Sequence, residues 1–155
     1  MLNVIAPALR VELSEPRLES MSYSQFREVC GGVHAITDYA RRVRNKAVNL
    51  ADRPHYTNEQ KIDALAARIW NDGGANGARV RSLLHRILYG GAPDQLPERL
   101  WEGISDPNWK VEGLGISSLG ELVGWALPNQ FPPRNGRTSK ALRALGYDVT
   151  VHVGE

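Results

Sequence analysis

The sequence contains few of the residues that mark covalent or membrane-anchored architectures. It has one cysteine in 155 residues, Cys30, which excludes an internal disulfide and any cysteine-rich metal or iron–sulfur site. No run approaches the ~18 apolar residues of a membrane span. Arg10 and Glu12 interrupt the N-terminal apolar stretch too early for a signal peptide. We therefore expect a cytoplasmic protein with no membrane association.

Metal and cofactor signals are missing as well. The four histidines show no ligand spacing, and no phosphate-cradling GxxxxGK[ST] loop occurs. We predict no metal site, no cofactor and no ATPase within this chain. The apolar fraction of 42% excludes a wholly disordered chain and suits one globular domain.

A large excess of charge of one sign is also absent, because 19 basic residues stand against 17 acidic ones. The charges nevertheless fall in blocks. Residues 1–39 carry a net charge of −2, residues 40–90 +6, residues 91–125 −4 and residues 126–155 +2. Charge alone favours solvated helix faces. The alternative is a surface for a polyanion, since phosphate contacts depend on local Lys and Arg density.

Apolar periodicity predicts a mainly α protein, a multi-helix bundle with minor β structure at the termini. Residues 1–22 are interpreted as an N-terminal arm, in which Pro7 favours an irregular segment or a short edge strand over residues 2–13. Residues 23–146 form the helical domain. Residues 147–155 alternate Tyr147, Val149, Val151 and Val153, which predicts a strand or linker.

Within the helical domain, an apolar stripe runs from Phe26 to Ala47, and the pair at 31–32 (Gly-Gly) predicts a kink or break. A capping box at Thr57 opens the next helix. Further helices are predicted over 77–89, 94–103, 116–127 and 136–145. The expected buried residues of the last four include Trp101, Leu119, Leu122, Val123, Ala126, Ala141, Leu142 and Leu145.

The segment with the clearest chemical signal is Gly113-Leu114-Gly115, which lies between two predicted helices. Two glycines around one apolar residue allow a sharp turn with positive φ. They also leave backbone N–H groups open at a helix N-terminus, where the helix dipole favours an anion. Leu114 can pack between the two helices. The pattern predicts a helix-hairpin-helix element at about 109–127, although an ordinary helix–helix turn has the same sequence.

Residues 131–146 (FPPRNGRTSKALRALG) resemble the segment that follows the hairpin in helix-hairpin-helix DNA glycosylases. The resemblance implies an all-helical domain that binds duplex DNA across one face. Asn135 stands where that family has its catalytic Asp, and Ile116, Ser117 and Ser118 stand where bifunctional members place a lysine nucleophile. Base excision is therefore not expected, and we assign no catalytic residue.

The pattern is also similar to helical regions beside the ATPase domain of McrB-like AAA+ restriction proteins, which carry Asn at the same position. This resemblance implies a role in a prokaryotic restriction or antiviral defence system, with an AAA+ ATPase or nuclease as partner or downstream domain. The matching positions are Gly113, Gly115, Ser118, Leu122, Pro128, Phe131, Pro132, Asn135, Ala141, Leu142, Leu145 and Gly146.

The sequence thus predicts a non-catalytic module that grips the phosphate backbone of duplex DNA. Asn135 also suits the N-cap of the helix that follows it. The alternatives are a protein-interaction module or small phage-type inhibitor, and an enzyme acting on modified bases. The expected DNA-binding residues are Gly113, Leu114, Gly115, Ser117, Ser118, Arg134, Asn135, Arg137, Lys140, Arg41 and Arg42.

Overall fold

A computed structural model describes residues 2–53, 55–132 and 136–151. Within these residues the chain forms nine α-helices, and no β-strand occurs among them, which confirms the mainly α class. Short 3-10 turns occupy Asn45–Val48, Asp72–Gly74 and Pro93–Gln95. The helices are α1 (Leu2–Glu12), α2 (Glu15–Ser20), α3 (Tyr23–Gly32), α4 (His34–Arg42), α5 (Asn58–Trp70), α6 (Ala78–Tyr89), α7 (Leu96–Ser105), α8 (Ile116–Ala126) and α9 (Gly136–Ala144).

Helix α8 lies at the centre of the bundle. Its sequence, ISSLGELVGWA, is apolar or small on nearly every face, and residues 118–124 are all buried. Helices α1, α4, α6 and α7 pack around it, and α5 lies against α3 and α4. A helix that is apolar all round is stable only where neighbours cover it on all sides. The predicted inward residues Leu119, Leu122, Val123 and Ala126 are buried as expected.

The prediction of an irregular arm or strand at the N-terminus is wrong, because residues 2–12 form helix α1. Leu9 and Leu13 are buried against the body, and the Tyr89 hydroxyl donates to the Leu13 carbonyl at 2.7 Å. Pro7 is exposed and removes one helical N–H. Burial of the apolar residues at four-residue spacing outweighs that loss, so this segment belongs to the bundle.

The predicted break after the Gly31–Gly32 pair is confirmed. Helix α3 ends at Gly32, Val33 is extended with φ −92° and ψ 115°, and α4 starts at His34. The buried Glu121 carboxylate of α8 accepts hydrogen bonds from the backbone N–H groups of His34 and Ala35, both at 2.8 Å. A side chain distant in sequence therefore supplies the cap that a new helix start requires.

Four residues that were expected to be buried are exposed. Trp101 is 62% exposed, because α7 packs through the face that carries Leu96, Arg99 and Gly103. Ala141 and Leu145 of the predicted inner face are exposed, and Leu142 is 37% exposed. Ser139 occupies the buried side of α9 instead. The last helix therefore turns much of its apolar surface outward.

The predicted C-terminal strand is not seen in the part of the chain that the structure describes. Residues 147–151 are irregular and form no ladder there. A period-two pattern needs a partner strand for its hydrogen bonds, and the described bundle supplies none. Residues 152–155, which complete the predicted segment, lie outside the described residues. Among the helices described, none has the length and hydropathy that crossing a membrane requires.

Candidate nucleic-acid interface

The glycine turn before α8 depends on Gly113. This residue has φ +96°, a left-handed conformation that L side chains rarely adopt. A Cβ there would also lie 2.9 Å from Cγ1 of Ile69 and 3.2 Å from Cδ1 of Leu65. Both the backbone conformation and the close approach to α5 therefore require glycine at this position.

Local hydrogen bonds and one long side chain hold the connection between α7 and α8. The Asp106 carboxylate accepts from the backbone N–H of Asn108 at 2.8 Å, which forms a tight turn. Arg79 of α6 donates to the carbonyls of Pro107 at 3.0 Å and Lys110 at 2.9 Å. Arg79 thereby ties the loop ahead of the glycine turn to the helical body.

Two apolar side chains connect the turn to the hydrophobic core. Val111 and Leu114 are buried in the core, and the Leu114 N–H donates to the Val111 carbonyl at 3.2 Å. The burial expected for Leu114 is confirmed. Because its side chain points into the protein, this residue can offer a ligand only its backbone.

The start of α8 is open in the way an anion site needs. Gly115 is the N-cap residue, and no described side chain caps this end. Gly115, Ile116 and Ser117 are half-buried, whereas Ser118 is 5% exposed and offers no hydroxyl to an outside ligand. The first turn of a helix has backbone N–H groups without helical partners, and its dipole favours negative charge. The arrangement suits one phosphate.

The charged side chains nearest in sequence to the turn form an ion pair. The Nζ atom of Lys110 lies 3.7 Å from a carboxylate oxygen of Glu112, and both side chains are about half exposed or more. Glu112 directly precedes Gly113, so its negative charge opposes an incoming phosphate. This carboxylate provides a test position, because its side chain is exposed and glutamine keeps its shape while removing its charge.

The other predicted DNA-binding residues lie on separate elements. Arg137 and Lys140 are exposed on α9, and Arg41 and Arg42 are exposed at the C-terminal end of α4. The Arg42 guanidinium lies 3.0 Å from the carboxylate of Asp38. Arg134 and Asn135 lie outside the described residues. The structure therefore brings Gly113, Leu114, Gly115, Ser117 and Ser118 into one turn and places the exposed cations on two other helices.

Trp109, the tryptophan closest to the turn, is half-buried and already covered on one face. The Arg86 guanidinium lies 4.6 Å from the centre of its ring, and Arg86 pairs with Glu102 at 2.5 Å. Trp109 also lines a cleft of about 560 Å³ between α2 and α6, together with Arg81 and His85. A nucleobase would have to displace Arg86 to stack on this face of the indole.

Buried charges that sequence analysis missed set the position of α4. The Glu121 carboxylate accepts from N–H groups at the N-terminus of α4. At the C-terminus of α4, the Lys61 ammonium donates to the Val43 carbonyl and, at 2.8 Å, to the side-chain oxygen of Asn45. Each charge matches the sign that the helix dipole favours at that end. A lone carboxylate within an apolar helix was the available signal for Glu121, but it does not identify the partner.

Among the described residues, neither a metal-binding cluster nor an activated cysteine is found. No group of three or more His, Cys, Asp or Glu side chains is placed to hold a metal ion there. Burial raises the pKa of the Cys30 thiol from 9.0 to about 12, so the reactive thiolate is disfavoured. Cys30 is therefore a core residue and not an activated nucleophile.

In comparisons with known proteins, no family model, curated protein or solved structure matches the chain.

Proposed function

We propose that this protein is a non-catalytic module that binds the phosphate backbone of duplex DNA through the turn that opens α8. The observation that carries the proposal is the glycine turn itself. Gly113 has φ +96°, the side chain of Leu114 is buried, and α8 begins at Gly115 without a side-chain cap. These features leave backbone N–H groups as the natural ligands of an anion.

Both backbone amides and basic side chains contribute to the proposed DNA binding. Amides of residues 115–117 would hold one phosphate, while Arg137 and Lys140 contribute long-range attraction and further phosphate contacts. Neither group reads base edges, so the binding is independent of sequence. Each cation that neutralises a phosphate releases a counterion, which makes the affinity fall as salt rises.

The proposed setting is a prokaryotic restriction or antiviral defence system, in which an AAA+ ATPase or nuclease acts beside this module or downstream of it. Support comes from the spacing between the glycine turn and the residues 131–146, including Asn135 in place of a catalytic Asp. In such a system the module supplies DNA affinity and the partner supplies the chemistry.

Fluorescence anisotropy with a labelled duplex tests the proposal through a loss and a gain of affinity. Arg137→Ala combined with Lys140→Ala should weaken binding about tenfold or more, because two phosphate contacts are removed. Arg10→Ala with Arg17→Ala is the matched control, since it removes the same charge from exposed positions on α1 and α2. Equal losses from the two pairs would contradict the proposed site.

Glu112→Gln provides the gain of affinity. Neutralising the carboxylate beside the turn removes a repulsion that falls on the bound phosphate, so affinity should rise a few-fold at low salt. A gain cannot be explained by misfolding. Glu28→Gln, an exposed acid on α3, is the control and should change affinity less.

Protein binding is the second candidate function, and exposed apolar side chains favour it. Trp101 is 62% exposed, Leu145 74% and Tyr147 61%. Apolar side chains mark partner surfaces where they are exposed next to one another. The Tyr147 N–H donates to the Leu142 carbonyl at 3.1 Å, so exposed apolar residues lie close together at the end of α9. Recovery of one stoichiometric protein partner after nuclease treatment, with no retention of duplex DNA, would support this function over DNA binding.

A further inference from the structure

Two exposed helical faces of this chain carry opposite charges. The outer face of α7 presents Pro97, Glu98, Trp101 and Ser105 at helical spacing, and all four are exposed. Asp94 lies one turn earlier and is also exposed. The result is a tryptophan on an acidic surface, within the block of residues 91–125 that carries a net charge of −4.

The outer face of α9 has the complementary character. Arg137, Lys140, Ala141 and Ala144 recur at steps of three and four, and all are exposed. Leu145, at 74% exposure, continues the apolar part of this face beyond the end of the helix. Alanines leave room for a large side chain to approach the helix backbone, and the two cations lie at their edge.

We propose that these faces bind each other between copies of the chain, so that the α7 face of one copy receives the α9 face of the next. Trp101 would pack against Ala141 and Ala144, while Glu98 and its acidic neighbours meet Lys140 and Arg137. The argument for a second copy is charge complementarity: one chain carries both the acidic aromatic face and the basic small-residue face, and both are open to solvent.

A contact between two different faces is heterologous unless the same two copies also return it about a two-fold axis. In the head-to-tail arrangement each added copy leaves one acidic and one basic face unoccupied, so the assembly grows instead of stopping at two. One helix on each side covers less than the ~1,200 Å² of a stable interface, so the association is weak and depends on concentration.

Sedimentation of the full chain from about 10 μM to about 1 mM tests the inference, since small interfaces associate in this range. The weight-average mass of the wild-type protein should rise steadily with concentration and pass that of a dimer. Glu98→Lys and Lys140→Glu should each stay monomeric over the same range. A wild-type protein that remains monomeric at the highest concentration would overturn the inference.

An equal mixture of the two variants gives the sharpest result. The Glu98→Lys chain keeps a native α9 face and the Lys140→Glu chain keeps a native α7 face, so these two native faces should pair. At the next contact the two reversed charges again have opposite signs, so the mixture should associate although each variant alone is monomeric. A mixture that stays monomeric would contradict the contact between Glu98 and Lys140.

Matched controls separate this contact from general charge effects. Glu28→Lys and Lys46→Glu make the same changes at exposed positions on other elements and should leave the self-association unchanged. Trp101→Ala removes an exposed side chain and should abolish self-association without affecting folding. The inference does not rest on the proposed function: self-association without DNA binding would reject only the DNA proposal, and DNA binding by a strict monomer would reject only this one.

Discussion

Glu121 shows how one side chain decides where two helices lie. Glu121 is 3% exposed, and its carboxylate accepts from the N–H groups of His34 and Ala35 and from Nε1 of Trp125 at 3.2 Å. A buried carboxylate is costly unless each oxygen is hydrogen-bonded, and here both are. The same contact caps α4 and fixes it against α8.

Glu121→Gln should destabilise the protein by about 1–3 kcal/mol, because the amide presents a donor where the native site needs an acceptor and loses the charge at the helix end. Urea unfolding measures the change. Glu28→Gln, on an exposed surface of α3, should stay within about 0.5 kcal/mol of wild type. Similar losses in both variants would contradict the capping role.

Because Cys30 is buried, we expect the free energy of unfolding to depend on pH in the alkaline range. Burial raises the pKa of its thiol from 9.0 to about 12, so the folded protein holds the proton more tightly than the unfolded chain. The thiol's contribution to stability is complete below pH 9.0 and is lost as the pH rises toward about 12. Below pH 9.0 the native thiol should also resist thiol reagents until the protein is unfolded.

The comparison with Cys30→Ala isolates this effect. Wild-type unfolding free energy should fall more steeply than that of Cys30→Ala as the pH rises above 9.0, because the variant lacks the titrating group. Parallel pH profiles, or rapid thiol labelling of the native protein at pH 8, would show that the side chain is not buried as described.

Helix α1 is held in place by its packing more than by its intrinsic propensity. It contains Pro7, yet it packs against α3 and α8 with Leu9 buried, and Leu13 is buried directly after its last residue. Val11 lies on the opposite side and is 52% exposed. Most helical stability in proteins comes from such an apolar face and not from the backbone alone.

Leu9→Ala should therefore cost about 2–5 kcal/mol, the usual range for a core leucine. Val11→Ala, in the same helix, should cost less than about 0.5 kcal/mol because its side chain is already in solvent. Thermal or urea unfolding of both variants checks the difference. Equal effects would indicate that this segment does not pack against the bundle.

Helices α5 and α6 could be predicted from the sequence, because the capping box at Thr57 marks the start of one and a clear apolar period marks the other. The four residues expected to be buried in α8 are confirmed as well, although that helix is apolar or small on nearly every face. Segments with ambiguous signals were predicted less well. Pro7 suggested a broken segment, and the leucines of α9 suggested an inner face, but tertiary contacts decided both cases.

The candidate site was predictable only in its backbone. Two glycines around Leu114 indicated a turn and an open helix start, and the structure has both. The tether from Arg79 to the loop could not be foreseen, because it joins residues about thirty positions apart. Side-chain partners of this kind depend on the packed fold and leave no periodic trace in the sequence.

Across the whole molecule, the alternating charge blocks become distinct surfaces. The acidic block contains the exposed face of α7, and the final basic block contains α9. Lys140 belongs to both proposals, since it meets phosphate in one and the acidic face of a second copy in the other. DNA and self-association should therefore compete for α9.

The affinity for duplex DNA as a function of salt tests the central claim most directly. Between about 50 mM and about 200 mM salt, the logarithm of the binding constant should fall linearly with the logarithm of salt concentration. The slope should be smaller by about 2 in the Arg137→Ala, Lys140→Ala protein, since each lost phosphate contact removes ~0.9. An affinity that does not change with salt, or no binding at the lowest salt, would contradict phosphate-backbone recognition.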